Sequence, residues 1–168
     1  EKASILIQEL NLSPDSEISH VNETTYMGYA RYFLAIGETK KAEQILTKLY
    51  KIIKAGKRIE RLIVVEVTYA MYYKLIGEVD NATKNLLVAM ELAASENLIM
   101  FFINGNEPIY DLLLEIVKKH SLKNSKIPRT FLDNIKVIIE KKNKHKKNHT
   151  TAGLSNREID TLKLIADD

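Results

Sequence analysis

Cysteine and tryptophan are missing from this chain of 168 residues, and glycine and proline are scarce, at six and three copies. Without cysteine the chain can have no disulfide scaffold, no thiolate metal site and no cysteine nucleophile. The scarcity of glycine and proline argues against a β-sandwich with many turns and against a low-complexity chain. Hydrophobic and charged fractions of 45% and 28% are ordinary for a globular protein. The composition therefore predicts one compact domain or a short repeat array.

Membrane and targeting signals are a second absence. No apolar run approaches about 18 residues, and no charged segment precedes an apolar one near the N-terminus. We therefore expect a cytoplasmic protein with neither a membrane span nor a signal peptide. The chain opens at Glu1 without Met and stops inside a periodic segment, so we expect it to be part of a longer protein.

Catalytic and metal-binding patterns are a third absence. All six glycines are isolated, and no G-x-x-x-x-G-K-[ST] phosphate loop occurs. His145 and His149 have the spacing of helical metal ligands, but they lie in a Lys-rich stretch without carboxylates. Ser155 has no histidine near it in sequence and no strand-turn-helix elbow around it. We expect no enzyme activity, no catalytic residue, no metal site and no cofactor in this chain.

Positive charge is concentrated in the C-terminal third. Residues 115–149 hold eleven Lys and Arg against three Asp and Glu, a net of +8, whereas the whole chain carries +3. The densest run is 141–147. One interpretation is a tract that attracts a polyanion through counterion release. The favoured interpretation is a solvated, extended linker, because no aromatic residue is interleaved to stack on bases.

An internal repeat with an offset of 40 residues sets the predicted architecture. Apolar residues recur at three and four positions, as one face of a helix requires. Gly37 and Gly77 stand where a helix ends in a left-handed residue. The identical pairs are Tyr29/Tyr69, Ala30/Ala70, Tyr32/Tyr72, Ile36/Ile76, Gly37/Gly77, Glu38/Glu78, Ala42/Ala82 and Leu46/Leu86. We expect an all-α fold, with the end of a helix plus an extended link at 99–103, and helices over 22–36, 39–55, 59–76, 79–96, 108–120 and 128–143.

The repeat resembles the tetratricopeptide repeat: a small residue, an aromatic three positions later, then a glycine and a further alanine. Its period is 40 rather than 34 residues. The resemblance implies helical hairpins stacked into a right-handed superhelix, an α-solenoid. In that family the first helix of each pair lines a concave binding groove. The groove residues it implies here are Met27, Arg31, Leu34, Val67, Met71 and Lys74.

Among these residues, Arg31 has the most specific chemistry, because its planar donors can clamp an anionic or hydroxyl-rich ligand. The alternative is that Arg31 pairs with an acid on a neighbouring helix. Tyr26, Tyr32 and Tyr72 are able to stack on a sugar or a ring, but burial in helix packing is the favoured interpretation for most of them.

The most specific motif lies at 154–166. Ser155 and Glu158 form a capping box, and the apolar residues that follow give the helix one apolar face. The run Leu-Ser-Asn-Arg-Glu, followed by Leu-Lys-Leu-Ile-Ala, resembles the first helix of the LuxR-type DNA-binding domain. With the repeats and the basic stretch, the chain resembles the C-terminal half of MalT-type regulators of the LuxR family. The implied domains are a repeat domain at 1–143, a basic linker at 144–153 and the start of a helix-turn-helix domain at 154–168.

This resemblance implies a sensor domain that binds a small-molecule inducer or a peptide in its concave groove and couples that binding to promoter recognition. DNA would be contacted only by elements beyond Asp168, so no DNA-binding residue can be named, and ATP would be bound by an upstream domain. The resemblance is compatible with a homo-oligomer as the active form. An apolar patch at Ile5, Leu6 and Ile7 is expected to drive dimerisation in vitro, as an artefact of the first helix lacking its packing partner. The alternative function is a tetratricopeptide adaptor that grips a peptide or a partner protein.

Overall fold

All regular secondary structure in the described part of the chain is helical, which confirms the all-α prediction. The computed structural model describes residues 13–120 and 126–151. The elements are α1 (Glu23–Ala35), α2 (Thr39–Ala55), α3 (Ile59–Leu75), α4 (Val79–Ala94), α5 (Met100–Ile103), a 3-10 turn (Glu107–Ile109), α6 (Tyr110–His120) and α7 (Arg129–Thr151). Among these helices, none is both long and apolar enough to cross a bilayer.

Two predicted regions differ from the structure, and the first is 99–110. The extended part of the link expected within 99–103 is wrong, because Met100–Ile103 forms a turn of helix. Phe102 and Ile103 are both buried in the core, and a helical turn directs two adjacent side chains to neighbouring faces, whereas an extended chain would separate them. The helix expected from 108 starts instead at Tyr110, after the 3-10 turn.

The second difference concerns the basic stretch, which was expected to be an extended linker from 144. Helix α7 continues through it to Thr151. Lysine is a good helix former, and residues 129–151 contain neither glycine nor proline to end the helix. Lys142 Nζ also donates a hydrogen bond to the carbonyl oxygen of Ile103, at 3.2 Å, which ties this part of α7 to α5. The extended conformation is therefore wrong for 144–151, while the domain boundary stays a prediction.

The two copies of the repeat form two helical hairpins with the same turn. Helix α1 packs on α2, α3 packs on α4, and α2 packs on α3. Gly37 and Gly77 have φ angles of 79° and 84°. The amide of Glu38 donates to the carbonyl of Phe33, and the amide of Glu78 donates to that of Tyr73. This six-residue closure across a left-handed glycine is the Schellman motif, so each hairpin turn is specified locally.

Small residues allow the helices of each hairpin to approach closely, as the repeat predicts. Ala30, Ala42, Ala70 and Ala82 are all fully buried. Buried side chains form two clusters: one centred on the first hairpin, and one that joins the second hairpin to α5, α6 and α7. The C-terminal helices are therefore packed onto the repeats and share a core with them.

We expect Gly37→Ala and Gly77→Ala each to lower the free energy of unfolding by about 1 kcal/mol, because a Cβ atom is strained at positive φ. Gly28→Ala is the matched control. Gly28 lies inside α1, where an added Cβ meets no atom within 4 Å, so alanine is expected to stabilise the protein by about 0.5–1 kcal/mol. Urea unfolding followed by circular dichroism measures all three. Equal effects at the three positions would contradict the assigned turns.

Candidate functional site

A cleft of about 350 Å³ opens between the C-terminal halves of α1 and α3. Because each hairpin reverses the chain, these two helices run in the same direction and present equivalent faces of the two repeats. The volume lies at the small end of the range found for small-molecule sites, roughly 300–1,000 Å³. The cleft is lined by Arg31, Leu34, Ala35, Met71, Lys74, Leu75 and Pro108.

Four of the six predicted groove residues line this cleft: Arg31, Leu34, Met71 and Lys74. The other two, Met27 and Val67, do not line it; they are only 9% and 0% exposed and pack in the core. Met27 lies where α1 touches α3, with its Sδ 3.6 Å from the Thr68 hydroxyl. Repeat spacing carries no information about which residues of the first helices are covered by tertiary packing.

The guanidinium of Arg31 is held by two neutral acceptors. Its Nε donates to the hydroxyl oxygen of Thr68 at 3.3 Å, and its Nη2 donates to Oδ1 of Asn106 at 3.0 Å. Thr68 and Asn106 are 0% and 1% exposed. Asn106 Nδ2 donates in turn to the carbonyl oxygen of Phe101, at 2.6 Å. Arg31 therefore links α1 both to α3 and to the segment that follows α5.

Among the side chains that the structure describes, which do not include that of Glu107, Arg31 has no counter-ion. No described carboxylate lies within 4.0 Å of its guanidinium. The pairing of Arg31 with an acid on a neighbouring helix is therefore not found among these side chains. Burial lowers the pKa of Arg31, because partial removal from water disfavours the charged form. One wall of the cleft thus carries a half-buried positive charge with no described carboxylate beside it.

Lys74, the other cation of the cleft, is already paired. Its Nζ donates to the carbonyl oxygen of Pro108, at 2.6 Å, and to the carboxylate of Asp111. Burial of Asp111 opposes its ionisation, but the hydrogen bond and charge of Lys74 outweigh burial and hold the pKa of Asp111 below its ordinary value. Lys74 therefore fastens α3 to the 3-10 turn and α6, and brings no net charge to the cleft.

A second recess, of about 250 Å³, lies between α2, α3 and α4 and is rich in tyrosine. The ring of Tyr69 stacks on Tyr73 and meets Tyr50 edge-on, with centroid distances of 6.0 Å in both pairs. This recess was not predicted from the sequence, although Tyr69 and Tyr73, four positions apart on one helix face, were a signal for it. Its lining residues are Glu43, Thr47, Tyr50, Tyr69, Tyr73 and Asn85.

The three tyrosines singled out for ligand stacking do not line either cavity. Tyr26 and Tyr72 are buried, and Tyr32 is half-buried beside Phe33. The pKa of Tyr72 is raised to about 12; burial is the largest cause, and a hydrogen bond with Glu43 is the next. The favoured interpretation, that most of these rings serve helix packing, agrees with their burial.

The motif at 154–168, including Ser155 and Glu158, lies outside the described residues, as do Ile5, Leu6 and Ile7 and the side chains of His145 and His149. In the described ranges, no three side chains of His, Cys, Asp or Glu are grouped so that they could hold a metal ion. Comparison of the chain with family models, curated proteins and solved structures finds no match to any of them.

A buried carboxyl beside the tyrosine recess is expected to give the protein a pH-dependent stability. Glu66 on α3 is buried, and this burial raises its pKa above the ordinary 4.5, despite a hydrogen bond with Tyr50 and the charge of Lys54. The folded state therefore holds the proton more tightly than the unfolded state. The contribution of Glu66 to stability is full below pH 4.5 and is lost as pH rises through the folded-state pKa.

We expect Glu66→Gln to raise the free energy of unfolding at about pH 8 by more than at about pH 4, because glutamine removes a buried ionisation. Urea unfolding at both pH values measures the difference. Glu60→Gln, which removes an exposed carboxylate from the first turn of the same helix, is the control. A Glu66→Gln effect that is the same at both pH values would show that Glu66 does not titrate as the burial implies.

Proposed function

We propose that this chain is the effector-binding part of a cytoplasmic, homo-oligomeric transcriptional regulator, built from tetratricopeptide-like hairpins in a right-handed superhelix. The observation that carries this proposal is the cleft between α1 and α3. It lies on the equivalent face of both repeats, and it combines apolar walls with a half-buried cationic group. Both features are typical of sites for small molecules.

A small-molecule effector suits the cleft better than an extended peptide. The segment at 104–109 crosses the groove, because Arg31 binds it through Asn106 and Lys74 binds it through the carbonyl of Pro108. An extended peptide that followed the first helices would run into this segment. A compact ligand of the size of the cleft fits without displacing it.

Two sets of hydrogen bonds that meet on α5 offer a route from the cleft to the basic helix. Arg31 binds Asn106, and Asn106 binds the carbonyl of Phe101. Lys142 of α7 binds the carbonyl of Ile103, which lies on the same turn of helix. A ligand that changes the position of Arg31 would therefore act on α7. Coupling requires that the ligand favour one of two arrangements of these elements, since tight binding alone shifts no equilibrium.

The regulator part of the proposal is supported by two features of the sequence. The motif at 154–166 resembles the first helix of a LuxR-type DNA-binding domain, and residues 115–149 carry a net charge of +8. A basic helix that leads into such a domain would add non-specific attraction to DNA. We assign no catalytic role to this chain, and ATP would belong to an upstream domain.

A protein-binding adaptor is the second candidate function. It is favoured by apolar side chains that remain exposed near the hairpin turns. Ile36 and Ile76 occupy equivalent positions of the two repeats, and both are exposed together with Leu75 and Val79. Such side chains are available for contact with a partner protein.

Duplex-DNA binding distinguishes the two functions. We expect the full-length gene product to bind a subset of genomic fragments selectively, with an affinity that falls steeply between about 50 and about 200 mM salt. Residues 1–153, which lack the motif, are the control and are expected to bind weakly and without selectivity. Fluorescence anisotropy measures both. If the full-length protein shows no selective binding, the regulator function is wrong and the adaptor function remains.

A further inference from the structure

We propose that the ligand of the α1–α3 cleft is a small organic monoanion, with a carboxylate bound by Arg31 and an apolar body packed against Leu34, Met71 and Leu75. This inference rests on the proposed function, because it names the chemical class of the effector. It is carried by the charge, the free hydrogen-bonding capacity and the wall chemistry of the cleft.

The charge of the cleft selects an anion. Of its two cations, Lys74 is neutralised by Asp111, whereas Arg31 has no carboxylate partner among the described side chains, from which that of Glu107 is excluded. A partly desolvated charge without an opposite charge is costly, and an anionic ligand is the group that relieves this cost. A single unpaired cation matches a single negative charge.

The remaining donors of Arg31 suit a carboxylate. A guanidinium has five N–H donors, and the contacts with Thr68 and Asn106 use Nε and Nη2. Among the described side chains, no acceptor binds Nη1. The end of a guanidinium presents one hydrogen of each Nη atom side by side, and two parallel N–H bonds from this edge match the two oxygens of a carboxylate.

Two buried side chains orient the guanidinium without neutralising it. Thr68 donates its own hydroxyl proton to the carbonyl of Val64, at 2.8 Å, which leaves its lone pairs for Arg31. The side chain of Asn106 is fixed as well, because its Nδ2 donates to the carbonyl oxygen of Phe101 and leaves Oδ1 for Arg31. Because both acceptors are uncharged and held in place, the guanidinium keeps its full charge and loses little further freedom when it binds an anion.

The rest of the cleft disfavours the other ligand classes. Leu34, Ala35, Met71, Leu75 and Pro108 provide apolar walls, so the hydroxyl groups of a sugar would be buried without partners. A phosphate dianion would need a second free cation, and Lys74 is already committed. The class that remains is a compact aliphatic carboxylate that fits a volume of about 350 Å³.

Calorimetric titration of the 168-residue chain with hexanoate, hexanamide and hexylamine tests this class. These probes share one aliphatic chain and differ in the charge of the headgroup. We expect hexanoate to bind about tenfold more tightly than hexanamide, because a hydrogen bond to a charged group is stronger than one to a neutral group, and hexylamine not to bind. Hexanamide or hexylamine binding as tightly as hexanoate would overturn the anion class and leave a small-molecule site.

Three variants locate the anion site. Arg31→Gln is expected to abolish the preference for hexanoate over hexanamide. Asn106→Asp, which places a carboxylate on the guanidinium, is expected to do the same while retaining Arg31. Arg129→Gln is the control, since it removes one positive charge from an exposed side chain of α7 and is expected to keep the preference. Circular dichroism establishes that each variant is folded.

Two further outcomes overturn the inference: an unchanged preference for hexanoate in folded Arg31→Gln or Asn106→Asp, and a failure of hexanoate to bind the parent chain. If hexanoate fails to bind the parent chain, the inference about the ligand is wrong, and the proposed function has to be decided by another measurement. Selective duplex-DNA binding by the full-length gene product does not depend on the identity of the ligand, so it decides the regulator function separately.

Discussion

The hydrogen bonds of Arg31 connect the repeat hairpins to the C-terminal helices, and the cleft depends on them. Arg31 belongs to α1, its acceptor Thr68 to α3, and its second acceptor Asn106 to the segment between α5 and the 3-10 turn. The segment at 104–109 is held across the groove by this link and by Lys74. The cleft is therefore made by three parts of the chain, and only two of them belong to the repeats.

Glu23 and Arg31, which lie at two of the contacts between α1 and α3, differ in whether the protein compensates their charge. At the start of the helices, buried Glu23 lies 2.5 Å from Arg58 and 3.4 Å from Arg61, so its negative charge is compensated within the protein. Further along, Arg31 meets only a hydroxyl and an amide. A buried ion pair fixes how two helices pack. A half-buried cation without a described acid beside it offers its charge to an anionic ligand.

The hairpins could be predicted from the sequence because their determinants are local. Gly37 and Gly77 end helices through bonds that span six residues, and the buried alanines stand at fixed spacings within one repeat. The wider site could not be predicted, because Asn106 and Pro108 come from outside the repeat and meet Arg31 and Lys74 only through tertiary packing. The same limit explains Met27 and Val67, because Met27 is buried in the cluster centred on the first hairpin and Val67 in the cluster that joins the second hairpin to the C-terminal helices. Helix α7 extends beyond 143 because lysine favours the helical conformation. The prediction of a linker relied on the charge of this stretch and gave too little weight to that propensity.

A double-mutant cycle between Arg31 and Asn106 tests most directly whether this link joins the repeats to the C-terminal helices. Urea unfolding of Arg31→Met, Asn106→Ala and the double variant gives their coupling energy. Methionine keeps the aliphatic stem of the arginine and removes its donors. The bond of 3.0 Å between two largely buried groups predicts a coupling energy of about 1 kcal/mol or more. Single effects that add to within about 0.3 kcal/mol would contradict the link and, with it, the cleft that depends on it.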